Sequence, residues 1–258
     1  MKKLNVLWMY PDILNNYGDR GNFYALTRIG DKLGVEVEIK KVYDYQEELD
    51  FSWPHIIMFN SGELRTTETI VEHLRKYEDG LRQAIEDGKY IYAFSNSGTI
   101  FGKTVERSDG SQFHGLGILD INFKEKIHVY GDAALVEIPG FKLLGTQIRL
   151  VNSYLGEEGV PFAKRLYGYG NNFESEDEGA RYKNLIYTNV LGPLFAKNPW
   201  YCEYIIKSAL GEEPEIKEFN LDDYREDYPF ECKSYEILTK YDREKPQVEG
   251  KDKEFFKK

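Results

Sequence analysis

The segment Tyr90-Ile-Tyr-Ala-Phe-Ser-Asn-Ser-Gly-Thr-Ile-Phe-Gly102 carries the clearest structural signature in the chain. Its first five residues form an apolar run of strand length, a polar turn follows, and a helix is predicted to begin directly after the turn. A strand that turns sharply into a helix displays one side chain above the edge of the sheet, as in many α/β hydrolytic enzymes. Ser95 occupies that position and is therefore the first candidate nucleophile.

The rest of the first hundred residues alternates between strand and helix patterns. Strands are predicted at 4–9, 35–42, 55–59 and 90–94, and helices at about 22–33 and 66–87. Such alternation is typical of parallel sheets that are covered by helices on both faces. We therefore expect an α/β fold with three layers, in which a flavodoxin-like, doubly wound sheet is mostly parallel.

Beyond Gly102 the pattern changes to shorter strands, which predict an antiparallel extension of the sheet. These strands are expected around 121–128, 134–138 and 143–150, and are followed by a strand at 184–190 and a helix at 198–210. The predicted domain therefore covers residues 1–210. Residues 211–258 are rich in charge and sparse in apolar residues, so we expect a charged C-terminal extension, helical or irregular, on the surface.

Composition argues against several classes of protein. The net charge of −10, without a compensating basic stripe, disfavours binding to nucleic acid. No apolar run is long enough to cross a bilayer, and the short N-terminal run ends at Pro11 without a cleavage site, so we expect no membrane insertion and a cytoplasmic location. Cys202 and Cys232 indicate reduced thiols rather than a disulfide framework or a zinc site. No metal or cofactor is predicted.

Several motifs in the first 210 residues follow one another in a characteristic order. They lie at Tyr10–Asn22, Ser108–Asp120, Gly168–Asn172, Glu178–Gly179 and Tyr182–Pro199. In this order and spacing the chain resembles the class I glutamine amidotransferases of the cobyric-acid-synthase-like group. The resemblance is closest to the glutaminase subunit of lipid II isoglutaminyl synthase.

The resemblance implies a fold and a chemistry. In this family a cysteine on the strand-turn-helix attacks the side-chain amide of glutamine, and a histidine after a later strand transfers the proton. Backbone N–H groups, one of them in a glycine-rich turn after an earlier strand, hold the oxyanion. The ammonia passes to a Mur-ligase-like synthetase partner, which amidates the D-glutamate of the peptidoglycan stem peptide.

The catalytic residues of the family are replaced in this chain. The nucleophilic cysteine falls at Ser95, the histidine falls at Leu191, and the glycine-rich oxyanion turn becomes Asn60-Ser61-Gly62. Asn96 stands in the family's Cys-Gly-Gly turn, and Arg149 stands in a Glu-Asn-His run. By resemblance, Asn60, Ser61, Gly62, Asn96 and Arg149 therefore occupy the substrate-binding positions.

This replacement affects the chemistry directly. A serine hydroxyl is almost never ionised at neutral pH and depends on an adjacent general base, which Leu191 does not provide. Loss of a nucleophile or base costs roughly 10⁴–10⁶-fold in rate in comparable hydrolases. We expect a homologue without glutaminase activity that acts by binding or regulation. Two alternatives stay open: an active amidotransferase or hydrolase that uses Ser95 or an unrecognised nucleophile, and a binder of a small molecule in the former glutamine crevice.

The four histidines are weak candidates for a substitute base. His55 is predicted at the end of the sheet away from the site, and His73 on the solvated face of a helix. His128 is predicted on the surface or in a satisfied position of a strand. His114, in a loop, is the one histidine with a route to the site.

Two further polar groups have both a structural and a functional interpretation. Asp19 ends the polar loop Asn16–Asp19 after the first strand. Loops at the carboxyl edge of a parallel sheet face the ligand crevice, but we favour a local turn in which Asp19 or Asn22 caps the next helix. Glu63 and Arg65 follow the former oxyanion turn; they are either charges at a helix entry or hydrogen-bonding groups for a ligand.

Overall fold

The computed structural model describes residues 2–244. The strands are β1 (Lys2–Met9), β2 (Val35–Val42), β3 (Ile56–Phe59), β4 (Tyr90–Phe94), β5 (Thr104–Glu106), β6 (Gln112–His114), β7 (Ile121–Ile138), β8 (Phe141–Leu155), β9 (Ala163–Tyr167), β10 (Asp177–Glu178), β11 (Ala180–Tyr182) and β12 (Leu185–Thr188). The helices are α1 (Gly21–Lys32), α2 (Leu64–Leu74), α3 (Glu78–Glu86), α4 (Gly98–Phe101), α5 (Leu194–Lys197), α6 (Pro199–Ala209) and α7 (Pro229–Glu244).

The main sheet has the strand order β2-β1-β3-β4-β12-β11. The first five strands in this order are parallel, and β11 is antiparallel to β12. The chain runs outward from β1 to β2 and then returns to the other side of β1 as β3. In doubly wound sheets this switch point, at the carboxyl ends of the strands, is where ligands bind.

Helices cover both faces of this sheet, as its apolar strands predict. Ile56 and Met58 point to a core shared with α1 and α6, whereas Ile57 and Phe59 point to a core shared with α2 and α3. The predicted three-layer, flavodoxin-like α/β fold is confirmed.

The expected antiparallel extension forms a second sheet. The long strands β7 and β8 pair antiparallel along most of their length, with an irregularity between Glu125 and Tyr130. Strand β9 adds antiparallel to β7, while β5 pairs with β7 in parallel. An isolated bridge between Thr146 of β8 and Leu191 joins this sheet to the main domain.

The helix predicted at 66–87 is broken. Helix α2 ends at Leu74, a 3₁₀ turn covers Arg75–Tyr77, and α3 follows. Arg75 donates to the carbonyl oxygens of His114 and Gly115, and Arg82 donates to Leu116. The break therefore lets both segments anchor to one loop of the second sheet, a long-range contact that local periodicity does not reveal.

The C-terminal extension is partly built into the core. Helix α7 agrees with the helical expectation, but Tyr228, Cys232 and Tyr235 are buried, and Tyr235 packs on the ring of Trp200. The expected surface location is therefore wrong for this part of the extension. The lysine-rich end of the chain lies outside the described residues. The domain boundary at residue 210 stays a prediction.

No helix within residues 2–244 is long and apolar enough to cross a membrane.

Candidate functional site

The strand-turn-helix at the end of β4 has the geometry of a nucleophile elbow. Ser95 adopts φ = +51°, a left-handed conformation that is uncommon for a residue with a side chain and clusters at functional turns. Helix α4 begins at Gly98, where an added Cβ atom would lie 2.2 Å from the ring of Tyr187. A glycine is therefore required for the helix to pack this closely against β12.

Among residues 2–244, the hydrogen-bond partner of Ser95 at the elbow is a backbone carbonyl oxygen and not a base. The side chain of Ser95 is buried, with 1% exposure, and its hydroxyl donates a long bond of 3.5 Å to the carbonyl oxygen of Ile148 in β8. A carbonyl oxygen does not remove a proton at neutral pH, so this contact orients the hydroxyl and leaves it un-ionised.

The turn Asn60-Ser61-Gly62, which the resemblance aligns with the oxyanion turn of the family, lies beside the elbow at the end of β3. The amide of Asn96 donates to the carbonyl oxygen of Gly62 at 2.9 Å, and the hydroxyl of Ser97 donates to that of Asn60. A Cβ atom on Gly62 would lie 2.5 Å from the side chain of Leu14. The side chains of the elbow therefore hold the turn directly, in a region where Asn60, Ser61 and Asn96 are all buried.

Leu191, which the resemblance aligns with the catalytic histidine of the family, is buried and paired with β8. The backbone N–H of Leu191 donates to Thr146 at 2.9 Å, and the N–H of Thr146 donates back at 3.0 Å. The side chain of Leu191 has 1% exposure and belongs to the hydrophobic core. An aliphatic group in this position offers no proton acceptor to Ser95.

Asp19 was expected to cap a helix, and this expectation is wrong. Helix α1 begins at Gly21 after Arg20, with no side-chain cap. Gly21 packs closely on the loop after β12, where an added Cβ atom would lie 2.3 Å from Pro193. The side chain of Asn22 turns inward, where its oxygen accepts from the N–H of Phe195 at 2.9 Å.

The carboxylate of Asp19 enters the site itself. It has 0% exposure and accepts a hydrogen bond from the N–H of Ser61 at 3.4 Å. Burial raises the pKa of Asp19 to about 6, while the backbone N–H groups of Ser61 and Gly192 act in the opposite direction. Asp19 thus links the loops that follow β1, β3 and β12.

Lys197 is a second group near the site that sequence reasoning missed. Its ammonium group donates to the hydroxyl of Thr146 at 3.1 Å, and burial lowers its pKa. The sequence did indicate that Lys197 could be functional, because Lys197 lies in the last motif shared with the family, two residues before Pro199.

Arg149 follows Ile148, the residue that Ser95 contacts, but its side chain bonds to a different set of residues from the other predicted substrate-binding positions. Its guanidinium is fully buried and donates to the hydroxyl of Tyr130, the side chain of Asn152 and the carbonyl oxygens of Gly170 and Asn171. These partners belong to the second sheet and its glycine-rich loop. Arg149 therefore holds that loop, whereas Asn60, Ser61, Gly62 and Asn96 surround the elbow.

Among the histidines, His73 was placed wrongly on a solvated face. It has 5% exposure, and its Nδ1 shares a hydrogen bond of 2.7 Å with the hydroxyl of Tyr10. Burial, together with Lys76, lowers the pKa of His73. Tyr10 follows β1 with φ = +50°, so the two residues tie this loop to α2.

The remaining histidines do not supply the base. His55 accepts from the N–H of Asn5 at the amino end of the sheet, and His128 is exposed on β7. His114 lies on β6 of the second sheet, 3.4 Å from the hydroxyl of Thr104. Its predicted route to the elbow is therefore not realised.

Glu63 and Arg65 form an exposed ion pair with each other at the start of α2. This contact favours the interpretation as charges at a helix entry. Within residues 2–244, no group of three or more histidine, cysteine or acidic side chains is placed to hold a metal ion.

Comparison with known proteins agrees with this geometry. A model of the CobB/CobQ-like glutamine amidotransferase domain matches residues 5–199. The chain is 30% identical over 215 residues to the lipid II isoglutaminyl synthase (glutamine-hydrolyzing) subunit GatD of Staphylococcus aureus (strain N315), covering 81% of this chain and 85% of the relative. It is 24% identical over 216 residues to the subunit of the same name in Streptococcus pneumoniae (strain ATCC BAA-255 / R6), covering 81% of each.

A solved glutamine amidotransferase shares the fold, with a TM-score of 0.50 and 16% identity over 80% of this chain and 98% of that chain. The family model and the two relatives confirm the resemblance seen in the motifs, and they relate the chain to a glutamine amidotransferase subunit of lipid II amidation. The chain therefore belongs to the CobB/CobQ-like glutamine amidotransferase domain family.

Proposed function

We propose that this protein is a non-catalytic member of its family, which acts in peptidoglycan synthesis by binding or regulation rather than by hydrolysing glutamine. The observation that carries the proposal is the pairing of an intact elbow with a missing base. Ser95 keeps the strained conformation of a displayed nucleophile, but its hydroxyl contacts a carbonyl oxygen, and an apolar core residue, Leu191, replaces the histidine.

The size of the expected loss supports this assignment. Removing either the nucleophile or its base in a hydrolase costs roughly 10⁴–10⁶-fold in rate, and losses at groups that act together are not additive. A cysteine thiol has a pKa near ~8.5 and supplies some thiolate at neutral pH, whereas a serine hydroxyl does not. Both changes are present here, so the glutaminase rate is expected to fall to background.

The proposal includes a partner and a location. Both curated relatives are named as subunits of lipid II isoglutaminyl synthase, which is an assembly of more than one chain. We propose that this chain keeps a face for a Mur-ligase-like synthetase and acts beside it in the cytoplasm. A small molecule bound at the carboxyl edge of the sheet is compatible with this binding or regulatory role.

One observation favours the alternative of an active hydrolase. Lys197 is partly buried with a lowered pKa, and it bonds to Thr146, two residues from the Ile148 carbonyl that Ser95 contacts. Lysine serves as the base for serine in some hydrolases. In that case Ser95→Ala and Lys197→Met would each abolish turnover.

The deciding experiment measures release of ammonia from glutamine by the full chain, alone and with a co-expressed Mur-ligase-like synthetase. The proposal expects background rates that are the same for the wild type and for Ser95→Ala. Ammonia release that disappears in Ser95→Ala would establish the alternative. Co-purification with the synthetase, in spite of background rates, would support a binding or regulatory subunit.

A further inference from the structure

Several buried polar atoms without hydrogen-bond partners within residues 2–244 belong to Asp19 and to residues of the neighbouring loops and helix start. The oxygens in this group are Asp19 Oδ1, Asn60 Oδ1, Ser61 Oγ and Asn96 Oδ1, and the nitrogens are the amides of Asn22 and Asn60. Each of these residues is at most 5% exposed. Buried polar atoms in native proteins are nearly always paired, so a cluster of this kind indicates a site for an additional partner.

Hydrogen bonds between neighbouring loops bring these residues into one region. The N–H of Ser61 donates to Asp19 Oδ2 at 3.4 Å, and the carbonyl oxygen of Ser61 accepts from the N–H of Asn16 at 2.9 Å. Asn96 donates to Gly62. The region lies at the carboxyl ends of β1, β3 and β4, next to the switch point where doubly wound sheets place ligands.

The charge of this region is unbalanced. Burial and two backbone N–H groups act on the pKa of Asp19, and no cationic side chain of residues 2–244 appears among these influences. Within residues 2–244, no lysine or arginine side chain forms an ion pair with Asp19. Arg20 donates to Asn15, and Lys197 donates to Thr146 beside Gly192. A buried carboxylate without a counter-charge is costly, so the region favours a proton or a cation.

We propose that Asp19 and the oxygens around it form a binding site for a small monovalent cation, either ammonium or an alkali-metal ion. Four of the six unpartnered atoms are oxygens, which accept from an ammonium group and coordinate hard cations. One carboxylate matches one positive charge. The inference deepens the proposed function and rests on it, because it assigns a bound ligand to a crevice that no longer hydrolyses glutamine.

Thermal unfolding of the full chain tests the proposal at pH 8, where Asp19 is ionised. Ammonium, potassium and sodium chloride are each compared with tetramethylammonium chloride at equal ionic strength, because the methylated ion is bulky and has no N–H donor. For a site with a dissociation constant near ~10 mM, ~100 mM of the fitting ion raises the unfolding midpoint by about 3–6 °C. The ion with the largest effect, confirmed by titration calorimetry, identifies the occupant.

Asp19→Asn removes the charge and keeps the shape, so it is expected to abolish the difference between salts. Asp12→Asn is the matched control, since Asp12 lies in the same loop but is exposed, and it is expected to respond like the wild type. Ser61→Ala keeps the backbone N–H and removes one oxygen ligand. It is expected to weaken the response, and it carries the test if Asp19→Asn does not fold.

Equal midpoints in all four salts would overturn the proposal and leave Asp19 as a group that binds only a proton or water. A salt-specific shift that persists unchanged in both Asp19→Asn and Ser61→Ala would also overturn it, since the cation would then bind elsewhere. The ammonia-release assay is independent of these midpoints. Failure of the cation site and failure of the proposed non-catalytic role are therefore distinguishable.

Discussion

Leu191 and Thr146 are joined by two backbone hydrogen bonds, of 2.9 and 3.0 Å, and this pair fixes the former histidine position against the second sheet. The same pairing directs the Leu191 side chain into the core. Packing therefore encloses Leu191, and its aliphatic side chain offers no proton acceptor.

Leu191→His is expected to destabilise the protein without creating a base. An imidazole in this core position loses apolar contacts and buries a polar ring, at a cost of about 2–4 kcal/mol. Urea unfolding measures the loss. Combination with Ser95→Cys is expected to leave ammonia release from glutamine at background, and release that depends on both substitutions would contradict this prediction.

Ser95→Gly is expected to be more stable than Ser95→Ala. Both variants lose the 3.5 Å contact with Ile148, but only glycine adopts φ = +51° without strain. The expected difference in the free energy of unfolding is about 0.5–1 kcal/mol, less than the full strain because glycine also gains freedom in the unfolded chain. Equal stabilities by urea unfolding would mean that the elbow is not strained.

Gly98→Ala is expected to lower stability by about 1–3 kcal/mol, because the new methyl group would lie 2.2 Å from the Tyr187 ring. Gly80→Ala is the matched control. Gly80 lies in α3, where an added Cβ atom would be 3.8 Å from Phe51, and alanine in a helix is favoured by up to about 1 kcal/mol. Opposite signs in thermal unfolding confirm the close approach of α4 to β12, and equal effects would contradict it.

Asp19→Asn is expected to change the pH dependence of stability. The pKa of Asp19 rises from 3.8 to about 6 on folding, so the folded state binds the proton more tightly. The stability that this proton contributes is fully present below pH ~3.8 and is lost as pH rises through about 6. With about 1.4 kcal/mol for each unit of pKa, the loss by pH 8 is about 3 kcal/mol.

The asparagine variant lacks this loss, so it should exceed the wild type in stability at pH 8 more than at pH 4. Urea unfolding in tetramethylammonium buffers, which exclude a competing small cation, measures the two curves. Asp12→Asn is again the control, because its carboxyl group is exposed. Parallel curves for Asp19→Asn and the wild type would show that Asp19 remains solvated.

Local sequence patterns were sufficient for much of the fold and for part of the site. The apolar runs of β1, β3 and β4, separated by helical segments, predict a parallel sheet covered on both faces, because such strands are buried on both sides. The turn at Ser95 is also visible in the residues themselves, whereas the replacement of a catalytic histidine by Leu191 stays a prediction from the resemblance. The strands, the helices and the turn depend on residues that are neighbours in the chain, and the family resemblance depends on the order of the motifs.

The tertiary structure decided where the polar groups between the elements point. Asp19 contacts the N–H of Ser61, 42 residues away in the chain, instead of capping α1. His73 is buried against Tyr10, although its neighbours in sequence are charged. Such orientations depend on contacts between segments that are distant in sequence. The local pattern of apolar and polar residues therefore does not predict them. The charge balance of the site, and hence what it can bind, is therefore a property of the assembled loops.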